Sequence, residues 1–226
     1  PPPPLFSSRR RHTRYQSLSR GLGDVYKRQR HGILLIFDEV ITGFGRLGAN
    51  FAADYFGVRP DIITAAKQIT NGTIPMGAVI VQEHVYDAFM QGPPHMIELF
   101  HGYTYSGHPV AAAAGVATLD AYAEEGTFEQ AAELAKPLEE FVHGFADHDK
   151  VIDVRNIGLM AAIEMAPRDG APGARGLELH KKCFWEEDLM VRNGMDIIQI
   201  SPFLNSKLTD WEQAFDKLRR VIDSIE

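Results

Sequence analysis

The chain has 226 residues, 45% of them hydrophobic and 23% charged, the composition of a globular protein long enough for one or two packed domains. No apolar run approaches the ~20 residues needed to cross a bilayer, which argues against membrane insertion. The net charge of −7 divides into +6 over residues 1–29 and −13 over residues 30–226, so the acidic body argues against nucleic-acid binding.

Residues 1–29 open with Pro1-Pro2-Pro3-Pro4, continue through Arg9-Arg10-Arg11, and show neither strand nor helix periodicity. A transit peptide, a basic arm and a proline-rich partner motif are three functional readings. The expected one is a non-native or disordered leader, foreign to the fold.

From His31 the pattern changes. Residues 33–37 form a continuous apolar run, as expected of a strand covered on both faces, and it ends at Asp38-Glu39. Gly43-Phe44-Gly45 reads as a loop, residues 51–56 as a short helix closed by Gly57, and residues 61–66 as a second strand ending at Lys67. A third strand is predicted at 77–81 and a helix at 83–90, before the Gly92-Pro93-Pro94 break. Pro109 stands where a first helical turn accepts it, and an alanine-rich helix is predicted to about Glu125. This completes an α/β part, residues 30–126.

Residues 127–226 read differently: a helix to about 145, strands at 151–154 and 160–165, a helix at 177–190, a strand at 197–200 and a last helix from 209. Such runs suggest a smaller α+β C-terminal domain.

The most informative spacing is the 29 positions between Asp38 and Lys67. A strand-helix-strand unit takes about 30 residues, so both charges can lie at the carboxyl edge of one parallel sheet, where open α/β folds bind ligands. Side-chain alternation sends Asp38 and Glu39 to opposite faces, so the pair alone cannot form a metal pocket. An acid pair closing an apolar strand also occurs in P-loop ATPases, but no GxxxxGK[ST] run is present. The other reading makes Asp38 the partner of a pyridinium nitrogen. Lys67 stands among Ile62, Ile63, Ala65, Ala66 and Ile69, and enclosure by such neighbours would favour the neutral amine that Schiff-base chemistry needs. An amine facing a carboxylate across a ring points to pyridoxal 5'-phosphate.

Other groups point to less. His101 and His108 are seven apart and His84 and His95 eleven, neither a helical metal-pair spacing, so no metal site is expected. Ser106 and His108 lack the Gly-x-Ser-x-Gly frame of a hydrolase nucleophile. Cys183, the only cysteine, excludes an internal disulfide and reads as a packing residue, which suits a cytoplasmic location.

Five separated words carry a resemblance. Leu35-Ile36-Phe37-Asp38-Glu39-Val40-Ile41-Thr42-Gly43-Phe44-Gly45-Arg46, the stretch from Lys67 to Val79, and His101-Gly102-Tyr103-Thr104-Tyr105-Ser106-Gly107-His108-Pro109 resemble the class III aminotransferases of pyridoxal-phosphate fold type I. Within and beyond these, Thr70-Asn71-Gly72, Ile74-Pro75-Met76-Gly77-Ala78-Val79, Ile152-Asp153-Val154-Arg155-Asn156 and Phe203-Leu204-Asn205-Ser206-Lys207 narrow the resemblance to ω-amino acid:pyruvate (β-alanine:pyruvate) transaminases.

The resemblance implies a large, mostly parallel-sheet domain, represented in part, and a smaller α+β domain. It implies pyridoxal 5'-phosphate as cofactor, with Asp38 on the ring nitrogen, Val40 against the ring and Lys67 holding the cofactor as a Schiff base. Thr104 would reach the cofactor phosphate of a neighbouring subunit, implying a homodimer or higher homo-oligomer. Arg192 would grip the substrate carboxylate, a task suited to its planar fork. The reaction implied moves an amino group from an ω-amino acid such as β-alanine, or an amine, to pyruvate. Members of the family are much longer, so the chain reads as the C-terminal half of such an enzyme, expected to be inactive alone. A diamine transaminase, a 2,1-aminomutase and a cofactor-free interaction module are the alternatives.

Overall fold

The computed structural model describes residues 28, 30–96, 99 and 101–226. The leader expected at 1–29 therefore lies outside the described residues, except Arg28. That residue is not apart from the fold: its guanidinium bonds the Asp61 carboxylate at 2.6 Å, and its carbonyl accepts from the His31 and Ile33 amides. Packing divides the chain into two compact units, one ending at Phe128 and the other running Glu129–Glu226.

The first unit is built on β1 (Ile36–Glu39), β2 (Ile62–Ala66) and β3 (Gly77–Val81) in the order β1-β2-β3. β1 and β2 run parallel with Asp38 opposite Thr64, and β2 and β3 run antiparallel. Three helices accompany them: α1 (Ala52–Phe56), α2 (Glu83–Asp87) and α3 (Pro109–Glu125). Pro109 does begin α3, because a missing amide is harmless in a first turn, and His108 caps it by accepting from the Ala111 amide. Hence His108 serves the helix. A small core of Phe44, Ala65, Ile69 and Tyr122 joins the loop after β1, the end of β2 and α3.

The apolar run before Asp38 is not covered on both faces within this chain. Ile33, Leu34 and Ile36 are 59%, 49% and 58% exposed, and the strand begins only at Ile36. An apolar run records that a surface is meant to be covered, whereas coverage depends on elements that pack there. α2 also ends at Asp87, short of the expected 90.

The second unit holds a four-stranded antiparallel sheet in the order β4 (Val151–Ile157), β5 (Met160–Met165), β7 (Ile197–Ile200), β6 (Arg192–Gly194). Its core combines that sheet with α4 (Thr127–His143), α5 (Ala174–Glu186) and α6 (Leu208–Ser224). Leu138, Val142, Val154, Ile163, Leu179, Ile198 and Ile222 are fully buried. Stacked Phe141 and Phe215 rings, 5.1 Å apart, lock α4 to α6. Cys183 is buried in this core, and burial pushes its thiol up to about 12.

Candidate active site

The parallel pairing of β1 with β2 brings the ends of both strands to one edge. Asp38 is the third residue of β1 and Lys67 directly follows β2. From the register, about 5 Å across the sheet and at most about 10 Å along it separate their Cα atoms, so the two side chains can converge. Val40, half-buried, follows at the same edge.

Asp38 is exposed, and its Oδ1 accepts two hydrogen bonds, from the Val40 amide at 3.1 Å and from the Thr64 hydroxyl at 3.3 Å. Glu39 has the opposite character. It is 1% exposed, and its carboxylate accepts from the Ala52 amide (2.6 Å), the Ala53 amide (2.8 Å) and the Thr42 hydroxyl (2.9 Å). It therefore caps α1 from a neighbouring strand. The alternation expected of two adjacent strand residues is what separates these roles.

Lys67 is exposed in this chain, a correction to the enclosure expected from its neighbours. Of the apolar residues around it in sequence, Ala65 and Ile69 are the buried ones, since a strand followed by a turn does not put consecutive side chains in one environment. The backbone carries a different signal. Lys67 has φ +51°, in the left-handed region that a side chain with a Cβ seldom occupies, and it opens a 3₁₀ turn. Its carbonyl accepts from the Thr70 and Gly72 amides, and Asn71 is also left-handed. Strain of this kind persists where surrounding structure over-determines it, a pattern concentrated at functional sites.

Thr104 lies exposed in the turn before α3. Arg46, after the Gly43-Phe44-Gly45 turn, is half-buried, and burial lowers its pKa while the nearby Tyr122 phenol opposes the shift. Tyr122 is pushed the other way, upward by burial, and donates to the Gln68 carbonyl at 2.8 Å, tying α3 to the segment after Lys67. No group of three metal-ligating side chains occurs among the described residues.

Arg192 belongs to the second unit. The helix before it stops at Glu186, so Arg192 is not a helix-end residue but opens β6, paired with Gln199 of β7. It is exposed and lines a largely apolar cleft of ≈ 800 Å³ with His180, Trp185, Met190, Gln199 and Trp211. Sequence reasoning missed β6 because Arg192-Asn193-Gly194 has no apolar alternation. It also missed Thr64, whose signal is the parallel register that puts it opposite Asp38.

The donor set fits a pyridoxal ring: an exposed carboxylate for a ring nitrogen and an exposed amine for an aldehyde, at one sheet edge. The family description Aminotransferase class-III matches residues 24–222. An omega-aminotransferase of Caulobacter vibrioides is 50% identical over 197 residues, covering 87% of this chain and 45% of that protein. A beta-alanine–pyruvate aminotransferase of Pseudomonas aeruginosa is 49% identical, covering 86% and 44%. Among solved structures, the omega transaminase from Pseudomonas jessenii in complex with PMP aligns at TM-score 0.80 with 30% identity, covering 89% of this chain and 46% of that one. The chain thus spans less than half the length of these relatives. Its fold is that of the fold type I transaminases, a pyridoxal-phosphate-dependent group. The sheet-edge acid, the strained lysine and a family match over residues 24–222 lead to one conclusion: the chain belongs to the class III aminotransferases.

Proposed function

We propose that this chain is the C-terminal portion of an ω-amino acid:pyruvate transaminase, acting on β-alanine or a related ω-amino acid or amine. The observation that carries the reading is a lysine in left-handed conformation directly after a strand whose parallel neighbour carries Asp38 next to its last residue. The two relatives near 50% identity support the donor class.

Pyridoxal phosphate, when bound, supplies an aldehyde that condenses with amines and a ring that accepts the electrons left by a departing proton. Asp38 holds the positive charge on the ring nitrogen through its carboxylate. The Lys67 amine anchors the cofactor and, once an amino donor has taken its place, its Nζ removes the proton from the carbon bearing the donor nitrogen. It would then return that proton to the cofactor carbon that keeps the amino group. Val40 packs on the ring face. Arg192 clamps the donor or acceptor carboxylate bidentately, and its exposure leaves its donors accessible to such a partner. Thr104 would donate to a phosphate oxygen of the partner subunit's cofactor, in a homodimer or higher homo-oligomer. The domain boundary near residue 126 separates the portion carrying Asp38 and Lys67 from a smaller domain carrying Arg192.

Because the chain spans less than half of its relatives, cofactor affinity and turnover belong to the longer enzyme, and residues 28–226 alone bind the cofactor weakly. The test is substrate profiling of that longer enzyme. β-Alanine with pyruvate should be turned over far faster than diamines or 2-oxoglutarate. Preferential use of a diamine, or isomerisation of an amino aldehyde without an acceptor, would replace this reading with the diamine transaminase or the aminomutase. A longer protein that shows no cofactor absorbance would leave only the interaction module.

A further inference from the structure

β2 reads Ile62-Ile63-Thr64-Ala65-Ala66, and Thr64 is its one polar side chain. Valine has nearly the same shape and suits a strand as well, so packing alone does not call for a hydroxyl here. Thr64 stands directly opposite Asp38 in the parallel register, and cross-strand partners share a face. Its hydroxyl donates to Asp38 Oδ1 at 3.3 Å, the same oxygen that takes the Val40 amide at 3.1 Å.

Two donors on one oxygen restrict rotation of the carboxylate about its own axis. One donor belongs to the backbone following Asp38 and the other to the neighbouring strand. With Oδ1 engaged twice, Oδ2 is the oxygen left to face a ligand. Thr64 also lies three residues before Lys67, which directly follows the strand, so this bond ties the carboxylate to the strand that leads into the amine.

We propose that Thr64 is a positioning residue: it holds the Asp38 carboxylate, through Oδ1, at a set distance from Lys67 so that Oδ2 meets the ring nitrogen of the cofactor. The inference rests on the reading that Asp38 partners that nitrogen.

The experiment uses the full-length holoenzyme as wild type and as Thr64→Val, Thr64→Ala, Thr64→Ser and Asp38→Asn, loaded with pyridoxal phosphate labelled with ¹⁵N in the ring. In Thr64→Val the ring-nitrogen resonance moves toward that of an unprotonated pyridine. Its kcat falls about tenfold, while KM for β-alanine stays within about twofold, as expected for a hydrogen bond to a charged group that acts on the cofactor and not on the substrate. Thr64→Ala repeats this pattern and keeps the test open if the valine variant does not fold, and Thr64→Ser restores wild-type behaviour. An unchanged resonance and kcat in both hydroxyl-free variants overturns the proposal, as does a serine variant as impaired as the valine one, which would assign the effect to the methyl group. Asp38→Asn separates the two levels of the argument. If it moves the resonance and Thr64→Val does not, only the positioning role fails, whereas an unmoved resonance in Asp38→Asn removes the reading beneath it.

Discussion

Replacing Glu39 with glutamine while leaving Asp38 intact should destabilise the fold without touching the chemistry, although the two acids are adjacent. Glu39 is 1% exposed and accepts the Ala52 and Ala53 amides and the Thr42 hydroxyl. A glutamine amide has one acceptor oxygen, and its NH₂ would confront one of those donors. Leaving one buried amide unsatisfied costs ~1–3 kcal/mol, and losing the charge from the remaining bonds adds about 1 kcal/mol, for a sum of about 3 kcal/mol. α1 has nothing of its own to compensate at those amides, since Phe51 at the N-cap has no polar side chain and Asp54 takes the Phe51 amide instead. The assay is urea unfolding together with hydrogen exchange at the Ala52 and Ala53 amides. Protection there should fall roughly a hundredfold if those amides exchange through the cooperative opening that the carboxylate stabilises. Asp38→Asn, at an exposed position, should unfold within about 0.5 kcal/mol of wild type. A Glu39→Gln protein with the wild-type midpoint and unchanged protection would refute the capping role, and an Asp38→Asn protein less stable than Glu39→Gln would refute the division of labour.

Other positions carry their own tests. Lys67→Gly should unfold at higher urea than Lys67→Ala, by about 0.5–1 kcal/mol, because φ +51° strains any residue with a Cβ; in the full-length enzyme, both should lose the covalent cofactor adduct that borohydride reduction and mass spectrometry detect in wild type. Gly176→Ala should destabilise by more than about 3 kcal/mol in chemical unfolding, since a Cβ there would overlap the Met195 carbonyl oxygen; Gly102→Ala, with open space around it, is the neutral control. Cys183 should resist alkylation at pH 8 in the native protein and react only on unfolding. Its thiol is raised from an ordinary 9.0 to about 12, so its contribution to stability is complete below pH 9 and is lost as pH rises toward 12. Arg192→Lys in the full-length enzyme should raise KM for β-alanine about tenfold and leave KM for an amine without a carboxylate nearly unchanged, as steady-state kinetics will report.

Much of the architecture follows from local pattern. Gly77–Val81, Met160–Met165, Ile197–Ile200 and Pro109–Glu125 coincide with the segments expected from apolar spacing and the helix-starting proline. Asp38 and Lys67 could be placed at one sheet edge because a parallel crossover has a narrow range of lengths, and the strands do pair that way. Local pattern misled where it was taken as a measure of environment. Isoleucines around Lys67 did not bury it, and the run Ile33–Phe37 did not guarantee cover.

Legible along the chain are the chemical groups and their order: a carboxylate near the end of one strand, an amine after the next, and an arginine far downstream. Folding adds that Glu39 caps a helix while Asp38 stays exposed, that Thr64 bonds Asp38, that Lys67 takes a left-handed backbone, and that Arg192 opens a strand. The Glu39 and Asp38 bonds need partners 13 and 26 positions away, whereas the Lys67 turn closes on Thr70 and Gly72 and Arg192 pairs with Gln199 across a hairpin. Periodicity reports which face a residue takes, while register and packing decide what that face meets.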